Sequence, residues 1–161
     1  MTIESAVDID DFQDAEPGKF ETLLRNFYSA SVQVSVPGYE RTAAEVMENS
    51  ESTQYLAISS YKNLHVNFST VFNVEFYKLY SEVSVDFYIS TGGCWPNDKM
   101  EALDGANKVV ASYAITDHGK PFNVKLGGGS SVIRTLRITL MPSAAQYCQQ
   151  TLSIYKLTMR R

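Results

Sequence analysis

A chain of 161 residues with 44% hydrophobic and 20% charged side chains is long enough for one self-supporting core and too apolar to stay disordered. Its longest apolar runs fall far short of the ~20 residues that cross a bilayer, so no membrane span is expected. The net charge of −4 and an isoelectric point near 5.2 give poor long-range attraction to phosphate, so no nucleic-acid partner is expected either.

The charge is unevenly placed. Residues 1–51 carry −8 and residues 52–161 carry +4, and from Gly105 onward Asp117 is the one acid against eight bases. A basic C-terminal third can mean a polyanion partner, but first and last strands lying side by side would neutralise each other, and that reading is preferred. Cys94 and Cys148 are too far apart for a C-x-x-C motif and leave one cross-fold disulfide or two thiols open. The opening MTIESAVDIDDF lacks the basic and apolar regions of a signal peptide. The compartment stays open: cytoplasm, or an extracellular or surface position as a domain of a larger protein.

In chain order, residues 2–12 alternate weakly through Ile3, Val7, Ile9 and Phe12, and Pro17-Gly18 punctuates a turn. Residues 19–28 place Phe20, Leu23, Leu24 and Phe27 at helical spacing, which reads as a short helix or an irregular strand. Residues 31–36 alternate strictly and stop at Pro37-Gly38; residues 41–48 look locally helical. From residue 53 the period of two persists. Strands are expected at 55–59, at 64–69 with Leu64, Val66 and Phe68 inward, and at 72–77 with Phe72, Val74 and Phe76 inward. Another is expected at 82–90 with Val83, Val85, Phe87 and Ile89 inward. Residues 100–103 and 108–114 flank the hairpin loop Asp104-Gly105-Ala106-Asn107. Residues 122–126, 132–141 and 152–159 complete the series, the last losing phase near Tyr155.

Eight or nine short strands with almost no helical period mean an all-β chain, an antiparallel two-sheet β-sandwich. The reading is a single domain, 1–161, with acidic N-terminal strands and turns in 1–52 and the core sandwich in 53–159. The order LHVNFS (64–69), the strand 83–89, EALDGANKVV (101–110), IRTLRI (133–138) and LSIYKL (152–157) resembles the galactose-binding-like jelly roll of bacterial carbohydrate-binding modules and adhesin domains. The resemblance implies a carbohydrate-binding, lectin-like module. That family often holds a structural calcium near the chain start, but none of its ligands can be matched here residue by residue.

The most unusual stretch, TGGCWPND (91–98), holds the single Trp95 in a Gly- and Pro-rich loop after a strand. An exposed ring there would offer a plane for a sugar face, with Asn97 and Asp98 to bond hydroxyls. The alternative is a ring folded back to cap the core. Tyr61, Tyr77, Tyr88 and Tyr113 read as outward and could form a supporting platform, though cross-strand pairing explains them as well. The ligand-binding set is therefore Trp95, Asn97, Asp98, Tyr61 and Tyr88.

Asp8, Asp10, Asp11, Asp14 and Glu16 could gather around calcium, but no D-x-D-x-D-G loop occurs and a solvated acidic segment is preferred. No cofactor is assigned. His65, expected outward on a strand, and His118, in a turn, do not make a zinc set with two distant cysteines. No G-x-S-x-G elbow and no phosphate-binding glycine loop is present. Glu75 and Asp86, on adjacent strands, could in principle serve glycosidic cleavage, although a lone surface pair usually serves only solubility. The expected function is a non-catalytic binding module for a glycan or cell-surface ligand, part of a bacterial surface, secreted or toxin-like protein. The alternatives are an assembly domain whose tyrosine-rich face meets a protein partner or forms a homo-oligomer, and a small jelly-roll hydrolase or lyase.

Overall fold

A strand with one apolar stripe must be covered by a second layer to bury it. The computed structural model achieves this with two antiparallel sheets, and it describes residues 6–18, 23–92, 97–116, 118–141 and 147–161. Among these residues there are twelve strands: β1 (Val7–Asp10), β2 (Tyr28–Val34), β3 (Ala44–Glu48), β4 (Gln54–Lys62), β5 (Asn67–Phe68), β6 (Thr70–Tyr80), β7 (Glu82–Gly92), β8 (Asp98–Leu103), β9 (Val109–Ile115), β10 (Pro121–Gly127), β11 (Ile133–Leu140) and β12 (Cys148–Arg160). One turn of helix, α1 (Glu40–Ala43), sits between β2 and β3. Sheet A runs β10-β7-β12-β4-β3, with β1 also paired to β12 and β5 to β4; sheet B runs β2-β6-β11-β8-β9.

The inward stripes meet as the alternation requires. Phe72, Val74 and Phe76 of β6 and Leu136, Ile138 and Leu140 of β11 face Val83, Val85, Phe87 and Ile89 of β7 and Leu152 and Ile154 of β12, all fully buried in one core. Each such side chain contributes about 1.5–3 kcal/mol by leaving water. β12 is the backbone of sheet A. β7 runs along one side of it, while β4 takes the first half of the other side and β1 the last part. Its register shifts between Ile154 and Lys156, a bulge that explains the lost phase at Tyr155.

The acidic start does pair with the basic end, Asp8 opposite Met159 and Asp10 opposite Leu157. It is not a solvated segment throughout. Asp10 is buried, accepts the Tyr28 hydroxyl and the Phe12 amide (2.9 Å), and faces Arg25 at 3.5 Å, which in turn pairs with Asp14 at 2.7 Å. Asp8 accepts the Tyr80 hydroxyl at 2.5 Å. Burial first, and the adjacent carboxylates after it, hold both phenols well above their usual range, so they remain donors.

Four local expectations change. Residues 23–27 form no helix; Leu24 bridges to Ser29, and β2 starts at Tyr28. Residues 41–48 are helical only to Ala43, where the valine- and methionine-bearing stretch joins sheet A as β3. In 64–69 only Asn67 and Phe68 pair, and Leu64 is 61% exposed because residues 63–66 turn between β4 and β5. Tyr113 points inward, opposite buried Met100, rather than to solvent.

Gly127 ends β10 at φ +97°, and a Cβ there would lie 2.3 Å from the Ser81 carbonyl oxygen and 2.8 Å from Ile133 Cδ1. Gly127→Ala is expected to cost about 2 kcal/mol and about 6 °C in Tm, read by thermal unfolding. An unchanged Tm would mean that this corner relaxes freely.

Candidate functional site

Alternation puts every second residue of β7, β12 and β4 on the outer, wet face of sheet A. There the pairing stacks three rows: Tyr88–Ser153–Ala57, then Ser90–Thr151–Ser59, then Gly92–Gln149–Tyr61. Tyr61 continues the last row to Phe68 on β5. The middle of this face is thus built from small or hydroxylated side chains, with Ser59 and Thr151 hydrogen-bonded at 3.2 Å. Small residues between larger ones make a depression.

Two clefts of about 290 Å³ each occupy it. One is lined by Ser90, Thr91, Gln149, Gln150 and Thr151, the other by Tyr39, Thr42, Ser59, Ser60, Tyr61, Phe68 and Gln149. Gln149 lines both, so they adjoin across β7, β12 and β4 and are taken together as one groove. Its wall at the β5 end is aromatic: Tyr39 stacks on Phe68 at 5.2 Å, and Tyr61 lies 6.3 Å from the same ring. Phe68 is buried although it sits on the outer face, because these two tyrosines cover it. Asn63 Nδ2 donates to the Tyr61 hydroxyl at 3.0 Å, which orients that ring. Tyr88, half-buried, marks the opposite corner, about 16 Å away by strand spacing and rise.

A buried polar cluster lies behind the Gln149 end. Gln150 Nε2 donates to Ser60 Oγ (2.6 Å), Asp98 Oδ1 (3.1 Å) and the Met141 carbonyl (3.1 Å), and the Met141 amide donates to Asp98 Oδ1 (2.9 Å). Asp98 Oδ2 and Gln150 Oε1 are buried with no hydrogen-bond donor among the described residues. Desolvation pushes the Asp98 carboxyl up to about 6, against the Met141 and Gln150 hydrogen bonds that pull it down.

The sequence-derived residues divide accordingly. Tyr61 lines the groove, whereas Tyr88 shares the outer face of sheet A, one row from Ser90, but lines neither cleft. Asn97 is exposed at the start of β8, whereas Asp98, expected to bond a ligand, is 2% exposed and spends its hydrogen bonds inside the fold. Trp95 and Cys94 lie outside the described residues; Cys148 is buried and disulfide-bonded. Tyr77 is on the outer face of sheet B, so the four-tyrosine platform does not form. Glu75 and Asp86 are contradicted as a catalytic pair: β6 and β7 are consecutive in sequence but belong to different sheets, and both carboxylates face outward on opposite sides of the sandwich. Two sheets about 10 Å apart, with the side chains pointing away, exceed the separation glycosidic cleavage uses. His65 is exposed in the loop before β5 rather than on a strand face. Among the described residues no three His, Cys, Asp or Glu side chains converge on one point.

Tyr39, Ser59 and Gln149 were not singled out by sequence, and Phe68, expected inward, lies instead on the outer face beside Tyr61. Their only signal is alternation with small polar residues, which carries no register.

No protein-family model and no curated protein matches the sequence. Solved structures do match in shape. A cleaved adhesin domain of Lys-gingipain superposes with a TM-score of 0.64 at 6% identity, covering 98% of this chain and 99% of that one. An arabinose-bound α-L-arabinofuranosidase gives 0.57 at 14% identity over 96% of this chain. This chain spans 26% of that enzyme's length. A family 29 carbohydrate-binding module solved with cellulohexaose gives 0.50 at 9% identity, covering 97% and 92%.

The fold is the jelly-roll sandwich of carbohydrate-binding modules and adhesin domains. At these identities the likeness concerns the fold alone, and chemistry must be argued from the groove.

Proposed function

We propose that this chain is a non-catalytic carbohydrate-binding module, a domain of a bacterial surface, secreted or toxin-like protein, and that it binds glycan in the sheet A groove. The observation that carries this reading is the pairing of an aromatic wall (Tyr39, Tyr61, Phe68) with a hydroxyl- and amide-lined floor (Ser59, Thr151, Gln149). A sugar ring presents C–H groups on one face and hydroxyls at its rim, and this groove offers partners for both. The shared fold with a module solved with cellulohexaose supports it. Trp95 and Asn97 are proposed as further contacts.

Calorimetry on ligands chosen from a glycan array tests the assignment. Tyr61→Ala and Gln149→Ala are each expected to weaken binding about tenfold, or about 1.4 kcal/mol. Binding that survives both variants intact would move the site off this face, and unchanged binding by Trp95→Ala would remove that residue from it.

A further inference from the structure

We infer that the groove selects an uncharged oligosaccharide and reads about three sugar rings of it. This rests on the glycan reading of the same groove.

The argument starts from charge. Among the described residues no charged side chain lines either cleft; their polar groups are hydroxyls and amides. A carboxylate or sulfate brought in would lose water and meet no cation in exchange, a cost of several kcal/mol. On the same face the nearest charges along β7 and β12 are already engaged. Asp86 accepts from Asn123 Nδ2 at 2.7 Å and lies 3.8 Å from Lys156 Nζ. Gln150, which lines the first cleft, is bonded to Asp98, whose carboxylate would repel an anion. Sheet B presents the opposite character. Its outer face carries Arg137 and Lys99 on Glu101 at 3.1 and 3.5 Å, and a cleft of about 520 Å³ holding Arg134 beside Glu75. Those cations are likewise paired with carboxylates, so sheet B is charged where the groove is neutral.

Length follows from register. The two clefts together run from Ser90 on β7 across β12 and β4 to Phe68 on β5, three strand spacings or about 14 Å, so a single ring cannot fill them.

The test uses the full chain and two probe sets. One comprises neutral β-linked gluco-, xylo-, manno- and galacto-oligosaccharides of one to five rings. The other comprises polygalacturonate, alginate and heparin, and both are measured at low and high salt. At least one neutral series is expected to bind. Its affinity should rise by tenfold or more from one ring to about three and then level off, change less than twofold with salt, and fall about tenfold in Gln149→Ala. Tighter binding of an acidic chain that is also lost in Gln149→Ala would overturn the inference while leaving the groove as the glycan site. Neutral binding that Gln149→Ala leaves unchanged would overturn it too. Failure of every glycan in both sets would instead overturn the module reading itself.

Discussion

Asp10→Ala is expected to lower the unfolding free energy by about 3–5 kcal/mol, the cost of breaking a buried charged pair, and to drop Tm by about 10 °C. Three interactions fail at once. The Tyr28 hydroxyl and the Arg25 guanidinium lose the acceptor they face from within the fold, and both Tyr28 and Asp10 are buried. The third loss is backbone. Phe12, fully buried, stands at φ +63°, a conformation a bulky residue rarely takes, and its amide is held by Asp10 Oδ1. Releasing that amide frees the turn that plugs Phe12 into the core and loosens β1 from β12. Tyr28→Phe removes only one donor and should cost about 1–2 kcal/mol. A double-mutant cycle in urea separates the shared part. An Asp10→Ala loss no larger than that of Tyr28→Phe would show that the ion pair and the Phe12 turn contribute nothing.

Asp98→Asn is expected to move stability the other way. The Asp98 carboxyl titrates near 6 in the fold against 3.8 when unfolded. The folded state therefore holds the proton more tightly. The stability linked to this group is full below about pH 4, is lost as pH rises through about 6, and stays lost above it, amounting to about 3 kcal/mol. An amide resembles the protonated acid. It keeps an oxygen for the Met141 amide and Gln150, and it brings an N–H to the side where Asp98 Oδ2 and Gln150 Oε1 now have no donor among the described residues. The variant should match the parent at pH 4 and exceed it by about 2–3 kcal/mol at pH 8, with the difference opening between pH 4 and 7. Denaturant unfolding at four pH values reads this. A variant less stable than the parent at pH 8 would mean that the negative charge is itself compensated in the fold.

The inward stripes were legible because alternation survives along β6 and β7. Val83, Val85, Phe87 and Ile89 fall where their period puts them, and the missed phase at Tyr155 became a bulge rather than an error of strand type. Register was not legible. Nothing in the sequence says that Gln149 sits between Gly92 and Tyr61, or that Phe68 joins Tyr61 on the wet side under Tyr39. The groove is a product of pairings between residues far apart in sequence; Ser59 and Thr151, 92 positions apart, are one such pair.

Asp98 shows the converse. A polar residue after a Gly-Pro loop reads as exposed, yet it starts β8 with its side chain turned under Gln150. Glu75 and Asp86 look like neighbours because their strands are consecutive, and the crossing from sheet B to sheet A between Tyr80 and Glu82 separates them.

The most direct test of a glycan groove on sheet A is an amide chemical-shift titration of the labelled chain with a neutral trisaccharide. The account predicts saturable shifts concentrated at residues 59–61, 88–91 and 149–151, the strands that form the three rows. Shifts centred instead on Glu75, Arg134 and Asn107, across the sandwich on sheet B, would contradict it.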